Sequence, residues 1–240
     1  MPDLTILHTN DLHGKLSDRA AERIAREKSS AENCLLLDAG DAVLSGNIYY
    51  RPGGEPVLAR MSDLGYDAMA MGNREFHFLG PGLKTKVKLA RFPILCANLR
   101  SEIEIGPSVV PSISMEVGGM KVGIFGLTVP MITKRMMVSK LSPFWFEDPI
   151  EVGVKIAAEL KREVDLLIAL THIGLKLDME LAGSAPGIDI IVGGHTHAVT
   201  DEPEVVGDTA IVQSGAWGRY LGRVDVTDAG VRGKLISLAE

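Results

Sequence analysis

Cysteine is scarce in this 240-residue chain: there are two, Cys34 and Cys96. Both lie within apolar runs, Cys34-Leu35-Leu36-Leu37 and Ile94-Leu95-Cys96-Ala97, where a thiol behaves as a small buried hydrophobe. Two are too few for a disulfide framework. Long apolar runs are missing as well. None approaches the roughly 18 residues of a membrane span, so no membrane partner is expected. The opening Met1-Pro2-Asp3-Leu4 shows no charged segment leading into an apolar one, so a cytoplasmic, reduced location is the expectation. Basic runs are absent and the net charge is −6, which excludes the electrostatic footprint of a nucleic-acid polymer binder. Small anionic substrates stay open, because bound metals reverse the local sign of the field. There is no repeat of fixed period, no low-complexity stretch and no linker.

What remains is ordinary for a globular protein: 46% hydrophobic and 23% charged residues. The length suits one large domain spanning 1–240. The mean hydropathy of +0.16 is slightly apolar and leaves room for a homodimer surface. Apolar runs predict strands at Leu4–Thr9, Cys34–Leu37, Asp67–Met71, Pro93–Ala97, Val164–Leu170 and Ile188–Val192. Helical spacing predicts helices over Ser17–Ser29, Glu55–Leu64, Lys84–Ala90 and Ile150–Arg162. Ser112–Val117 and Lys121–Leu127, joined by Gly118-Gly119, predict a hairpin. Ala210–Gln213, Tyr220–Val226 and Val231–Leu238 read as antiparallel strands. A βα-alternating half is thus followed by a mixed half, which implies a sheet pair flanked by helices.

Short polar groups follow five of these strands: Asp11-Leu12-His13, Gly40-Asp41, Gly72-Asn73, Thr171-His172 and His195-Thr196-His197. Ligands collect beyond the carboxyl ends of strands in open α/β sheets. The predicted topology therefore brings Asp11, His13, Asp41, Asn73, His172, His195 and His197 to one sheet edge. Carboxylate and amide oxygens mixed with imidazoles, and no sulfur, suit two divalent ions such as Mn²⁺, Fe, Zn²⁺ or Ni²⁺. A single Asp-x-His or Gly-Asp would be an ordinary turn or a structural histidine. Here, however, four of the six histidines fall in these motifs. His8, inside the first strand, reads as packing.

Taken together, Ile-Leu-His-Thr-Asn-Asp11-Leu-His13-Gly, Asp-Ala-Gly-Asp41, Met-Gly-Asn73-Arg-Glu-Phe, Leu-Thr-His172 and Gly-Gly-His195-Thr-His197 resemble the calcineurin-like metallophosphoesterases. The branch resembled is the N-terminal catalytic domain of 5′-nucleotidase/UshA-like proteins, along essentially the whole chain. The resemblance implies a four-layer α/β/β/α sandwich and a dinuclear-metal phosphoesterase. It places one metal on Asp11, His13, Asp41 and His197, and the other on Asp41, Asn73, His172 and His195, with Asp41 bridging.

The chain departs from that family in two places. The family's Gly-Asn-His-Glu-Phe-Asp reads Gly72-Asn73-Arg74-Glu75-Phe76-His77 here. The family histidine contacts substrate phosphate and assists the leaving group. Arg74 is always charged and cannot be a general acid, but it can stabilise a phosphoryl group. Two readings are favoured jointly. Either Arg74 holds the phosphate while His77 supplies the proton, or the metals carry most of the rate without an acid. A third is a binding scaffold that has lost hydrolysis, and a fourth a hydrolase of sulfur esters. The second departure is length: no nucleoside-gripping C-terminal domain is expected, so nucleotide selectivity is not carried over, and the substrate expected is a nucleoside monophosphate, a cyclic nucleotide or another small phosphoester. Ser45 to Tyr50 read either as pocket lining or as a loop covering the next helix, and Met131 to Met137 as a lid, an interface or a core edge; Trp145 and Trp217 carry no assigned chemistry.

Overall fold

The computed structural model describes residues 3–106 and 108–238. The first half runs β1 (Leu4–Thr9), α1 (Asp18–Ser29), β2 (Cys34–Asp38), α2 (Pro56–Asp63), β3 (Ala68–Ala70), α3 (Gly80–Val87) and β4 (Ile94–Leu95). The middle contains β5 (Leu99–Ser101), β6 (Val109–Val110), β7 (Ser112–Val117), β8 (Met120–Thr128), a 3₁₀ turn and β9 (Phe144–Phe146). The rest comprises α4 (Pro149–Leu160), β10 (Leu166–His172), α5 (Leu175–Ser184) and β11 (Ile190–Val192). It closes with β12 (Glu204–Val206), β13 (Thr209–Val212), β14 (Tyr220–Thr227) and β15 (Gly230–Ser237).

Two mixed sheets result, in the orders β15-β14-β1-β2-β3-β4-β6 and β12-β13-β11-β10-β8-β7, with β5 and β9 forming a small ribbon. Strand residues alternate between faces, and both faces of each sheet are covered. Leu4, Ile6, Leu35, Leu37 and Ala70 meet Ile124, Ile168, Leu170 and Val192 between the sheets. Leu7, Leu36 and Met69 point the other way, onto Ile24 of α1 and Leu58 and Met61 of α2. Leu167, Ala169 and Ile191 pack likewise on Val152 and Ala157 of α4 and Leu181 of α5. Helix, sheet, sheet and helix therefore stack as four layers, the expected architecture. This double burial explains why β1, β2 and β10 read as unbroken apolar runs.

Local signals set the helix starts. Ser17 accepts the Ala20 N–H at the head of α1, and Asp148 accepts from Ile150 and Glu151 at the head of α4. The predicted helix at Lys84–Ala90 begins earlier, at Gly80, because Pro81 fits a first turn whose N–H needs no partner. The predicted strand at Val164–Leu170 shifts to Leu166–His172, which makes His172 the last residue of β10. Helix α5 is not predicted by spacing, since its buried face carries the polar Asp178 beside Leu181 and Ala182. The single sheet edge expected from the sequence is also corrected. The motifs lie at the carboxyl ends of β1, β2 and β3 in one sheet and of β10 and β11 in the other.

Candidate metal centre

Beyond β1 the chain turns so that Asp11 and His13 adopt φ of 52° and 47°. Asp11 N–H donates to Gly40 O at 2.9 Å, His13 N–H to Asp41 O at 3.0 Å and Gly14 N–H to Ala42 O at 2.7 Å. The loops after β1 and β2 are thereby stitched together. Asp41, His195 and His197 are also left-handed, with φ of 55°, 80° and 55°. Five of the six non-glycine residues at positive φ among the described residues are thus predicted ligands. Each costs about 1–3 kcal/mol and persists only where its surroundings fix it, a pattern concentrated at functional sites. A Cβ on Gly72 would collide with the backbone N and Oδ1 of Asp41, so only glycine lets the loops of Asp41 and Asn73 approach.

The side chains converge accordingly. Asp11 Oδ1 lies 3.4 Å from His197 Nε2, 3.8 Å from His13 Nε2 and 4.0 Å from His172 Nε2. Asp41 Oδ1 lies 3.4 Å from His172 Nε2, and the Nε2 atoms of His13 and His197 are 3.1 Å apart. Two ligand groups emerge, Asp11–His13–His197 and Asp11–Asp41–His172. The carboxylate common to both is Asp11, whereas the resemblance gives the shared place to Asp41. Asp41 is turned in part toward Arg74, whose N–H donates to its Oδ1 at 2.7 Å. The His195 ring sits edge-on to His172, centroids 5.0 Å apart, and the His195 backbone N–H donates to Asp11 Oδ2 at 2.9 Å.

Three of these atoms, Asp11 Oδ1, Asn73 Oδ1 and His172 Nε2, are buried without a hydrogen-bond partner. An unpaired buried polar atom costs about 1–3 kcal/mol, and a cation between Asp11 Oδ1 and His172 Nε2, 4.0 Å apart, would relieve both. The His172 proton, assigned to Nδ1 by its 2.8 Å contact with Ala39 O, leaves the Nε2 lone pair facing the carboxylates. Burial pulls His172 down to about 4. His13 falls to about 4 through burial and then the Arg74 and His197 charges. Burial lowers His195 too and raises Asp41. Neutral imidazoles are the metal-binding form, so the donor set fits a divalent cation.

The residues that hold this arrangement escape sequence reasoning. Glu75, fully buried, accepts the N–H groups of Asp41 and Gly72 on Oε2 and that of Val43 on Oε1. Lys86, also fully buried, donates to the carbonyls of Gly46 at 2.7 Å and of Arg74. Asn10 donates to Asp11 Oδ2 at 2.8 Å and accepts from Ser214 N–H and Oγ. Under His172, Thr171 and Gln213 donate to the two oxygens of Asp178, and Thr196 donates to Gln213 Oε1. The one available signal was a polar residue at a position of apolar periodicity, as at Lys86 and Asp178.

Arg74 joins the cluster: its Nε lies 3.4 Å from Asp41 Oδ2, and its Nη1 donates to Leu44 O at 2.8 Å. His77 does not. It is buried, accepts the Leu79 N–H on Nδ1 at 3.0 Å and packs edge-on to Tyr50. Among the described residues no hydrogen bond or ion pair links His77 to Arg74 or to a predicted ligand, so the swapped-dyad expectation finds no contact here.

Over residues 4–199 the chain matches the model of the calcineurin-like phosphoesterases. It is 36% identical to the trifunctional nucleotide phosphoesterase YfkN of Bacillus subtilis, over 93% of this chain and 18% of that protein. It is 35% identical to the snake venom 5′-nucleotidase of Naja atra, over 94% of this chain and 50% of the other. The crystal structure of a 5′-nucleotidase precursor from Thermus thermophilus superposes with a TM-score of 0.81 at 30% identity, covering 98% of this chain and 54% of that one. The chain thus spans between 18% and 54% of the length of these relatives. Its fold, its motif order and these matches agree: the chain belongs to the calcineurin-like phosphoesterase family, metal-dependent hydrolases of phosphoric esters.

Proposed function

We propose that the chain hydrolyses small phosphoesters, nucleotides among them, with two divalent ions held by Asp11, His13, Asp41, Asn73, His172, His195 and His197. The observation that carries this reading is the trio of buried, unpartnered ligand atoms on Asp11, Asn73 and His172. Relatives named as nucleotide phosphoesterase and 5′-nucleotidase support a nucleotide substrate. Divalent ions held by these residues would supply Lewis-acid stabilisation to the attacking and leaving oxygens of an in-line displacement at phosphorus.

The chain's own contribution is positional and electrostatic. Arg74, already beside Asp41, stabilises negative charge growing on the phosphoryl oxygens. It stays charged at every working pH and moves no proton. Among the described residues His77 makes no contact with the cluster and Glu75 is bonded to backbone N–H groups, so the leaving group takes its proton from solvent at the open side, where His195 is exposed. General acid catalysis contributes about 10²–10⁴-fold where it operates, and its absence makes good leaving groups the faster substrates.

A panel of phosphomonoesters and phosphodiesters, run on Mn²⁺-loaded protein with Asn73→Ala as the control, tests this. Expected are two ions per chain by elemental analysis, turnover that requires Asn73, and rates that rise as leaving-group pKa falls. Arg74→Gln should lower kcat/KM by roughly 10²-fold. Protein shown to hold its metals but turning over no panel member above the Asn73→Ala control would sink the proposal.

A further inference from the structure

Trp217 is the sixth non-glycine residue held left-handed, at φ 60°, and the one of the six that metal binding does not use. Bulky residues rarely adopt that conformation. Its turn is fastened on three sides to the loop that carries the first ligands. Asn10 Nδ2 donates to Gly215 O at 2.6 Å, and Trp217 N–H donates to Asp11 O at 2.8 Å. Gly218 lies so close to Lys15 O that a Cβ there would collide with it. The indole is therefore placed with little freedom, its centroid 5.2 Å from the His197 ring and 6.2 Å from the His13 ring. The Arg219 guanidinium lies 5.0 Å over the indole. Even so, the residue is 44% exposed.

Neither packing nor turn formation accounts for this combination. A ring present for packing would be buried, and a turn needing positive φ would be served by glycine or asparagine. What the turn achieves is to hold a flat aromatic surface at the rim of the metal centre, backed by a cation. Of the other exposed aromatics among the described residues, Tyr49 and Tyr50 stand on the loop after Asp41, where Tyr50 is already engaged with His77, and Tyr220 opens β14.

We propose that Trp217, backed by Arg219, is a stacking subsite for a planar aromatic group on the leaving side of the phosphoester. This rests on the phosphoesterase reading above and adds the substrate class: esters of aromatic alcohols or of nucleosides in preference to aliphatic ones. Stacking tolerates any ring with a π face, so aryl phosphates and nucleotides share this chemistry.

The test uses the Mn²⁺-loaded chain carrying Trp145→Phe, which leaves Trp217 as the only indole. The probes are phenylphosphonate, an adenosine phosphonate and methylphosphonate, whose carbon–phosphorus bonds the proposed reaction does not cleave. Aromatic probes should quench the Trp217 emission and bind more tightly than methylphosphonate. In the parent chain, Trp217→Ala should raise the Kd of the aromatic probes by roughly tenfold and leave methylphosphonate unchanged, while Trp217→Phe keeps most of the gain. Stronger quenching by the adenosine compound marks a nucleobase, and stronger quenching by phenylphosphonate an aryl ring. Equal binding of all three probes, or an equal loss of all three in Trp217→Ala, overturns the subsite. Methylphosphonate binding that depends on Asn73 would then leave the phosphoesterase reading standing. If no probe binds the loaded protein, both fall.

Discussion

The two halves of the metal centre are built differently. On the side of β1, β2 and β3, Asp11, His13 and Asp41 are all buried, and the backbone that presents them is held by fully buried charges, Glu75 and Lys86. On the side of β10 and β11, His172 is buried, but His195 is exposed and the His197 side chain is 36% exposed. The support there is the chain Thr171–Asp178–Gln213–Thr196, with Asp178 as its single ionisable member. Two buried ionisable groups bonded to backbone, Glu75 and Lys86, clamp the closed half, and a side-chain network with one buried carboxyl, Asp178, props the open half. A centre made this way can fix its cations from one side and admit substrate from the other, where His195, His197 and Trp217 stand.

The sharpest way to break this comparison is Glu75→Ala. It leaves the N–H groups of Asp41, Val43 and Gly72 unpaired in a dry interior and removes one of the three carboxylates, with Glu55 and Asp41, that favour the Lys86 ammonium. Losing one partner of a buried charged set costs about 3–5 kcal/mol. Thermal denaturation should show that loss, and calorimetry should show weakened cation binding; Glu75→Gln, which keeps an acceptor, should fall between. A Glu75→Ala protein as stable as the parent would remove the claim that charge holds this half.

On the open side the effect should be smaller and dependent on pH. Burial raises Asp178 from 3.8 to about 7. A group whose folded pKa is raised contributes stability that is complete below its unfolded pKa and is lost as pH rises through the folded one. Asp178→Asn should therefore cost about 1–3 kcal/mol near pH 4, through imperfect pairing with Thr171 and Gln213. Its deficit should shrink between pH 4 and 7 as the parent loses stability. Urea midpoints across that window measure it, and a deficit that grows with pH would contradict the assignment.

How far the sequence carries depends on what kind of contact is at stake. The four layers and the strand-end motifs were legible because burial on both faces writes continuous apolar runs, and because ligand chemistry is written in residue type. The left-handed backbone at Asp11, His13, Asp41, His195 and His197 leaves no trace in composition, nor does the sharing of Asp11 by both ligand groups. Glu75 and Lys86 were hidden for another reason. Each satisfies backbone groups brought close only by the fold, so its role cannot be read from its place in a motif or from a break in apolar periodicity. Arg74 and His77, three residues apart in the same motif, look equivalent in the sequence. The structure separates them, sending Arg74 to Asp41 and His77 to Tyr50 and the Leu79 N–H.

The smallest expected effect sharpens the closed half by moving away from the metal. His8 continues the Leu4–Ile6 face of β1 into the space between the sheets, where Gly222 on β14 leaves room for its ring. It is buried, its Nδ1 has no partner, and burial lowers it to about 4. A depressed folded pKa contributes stability that is complete above the unfolded value of 6.5 and is lost as pH falls toward 4. His8→Leu, close in volume, should change stability at pH 7 by less than about 1.5 kcal/mol, yet gain on the parent between pH 6.5 and 4. The metal-loaded parent and variant, compared by thermal denaturation at each pH, divide acid sensitivity between its two sources. A gain confined to His8→Leu locates part of it in the sheets themselves, where burial keeps an imidazole neutral with no ligand role to explain it. Identical acid profiles would instead place the whole of it at His13 and His172, and the closed half would then be distinguished by its cations rather than by its burial.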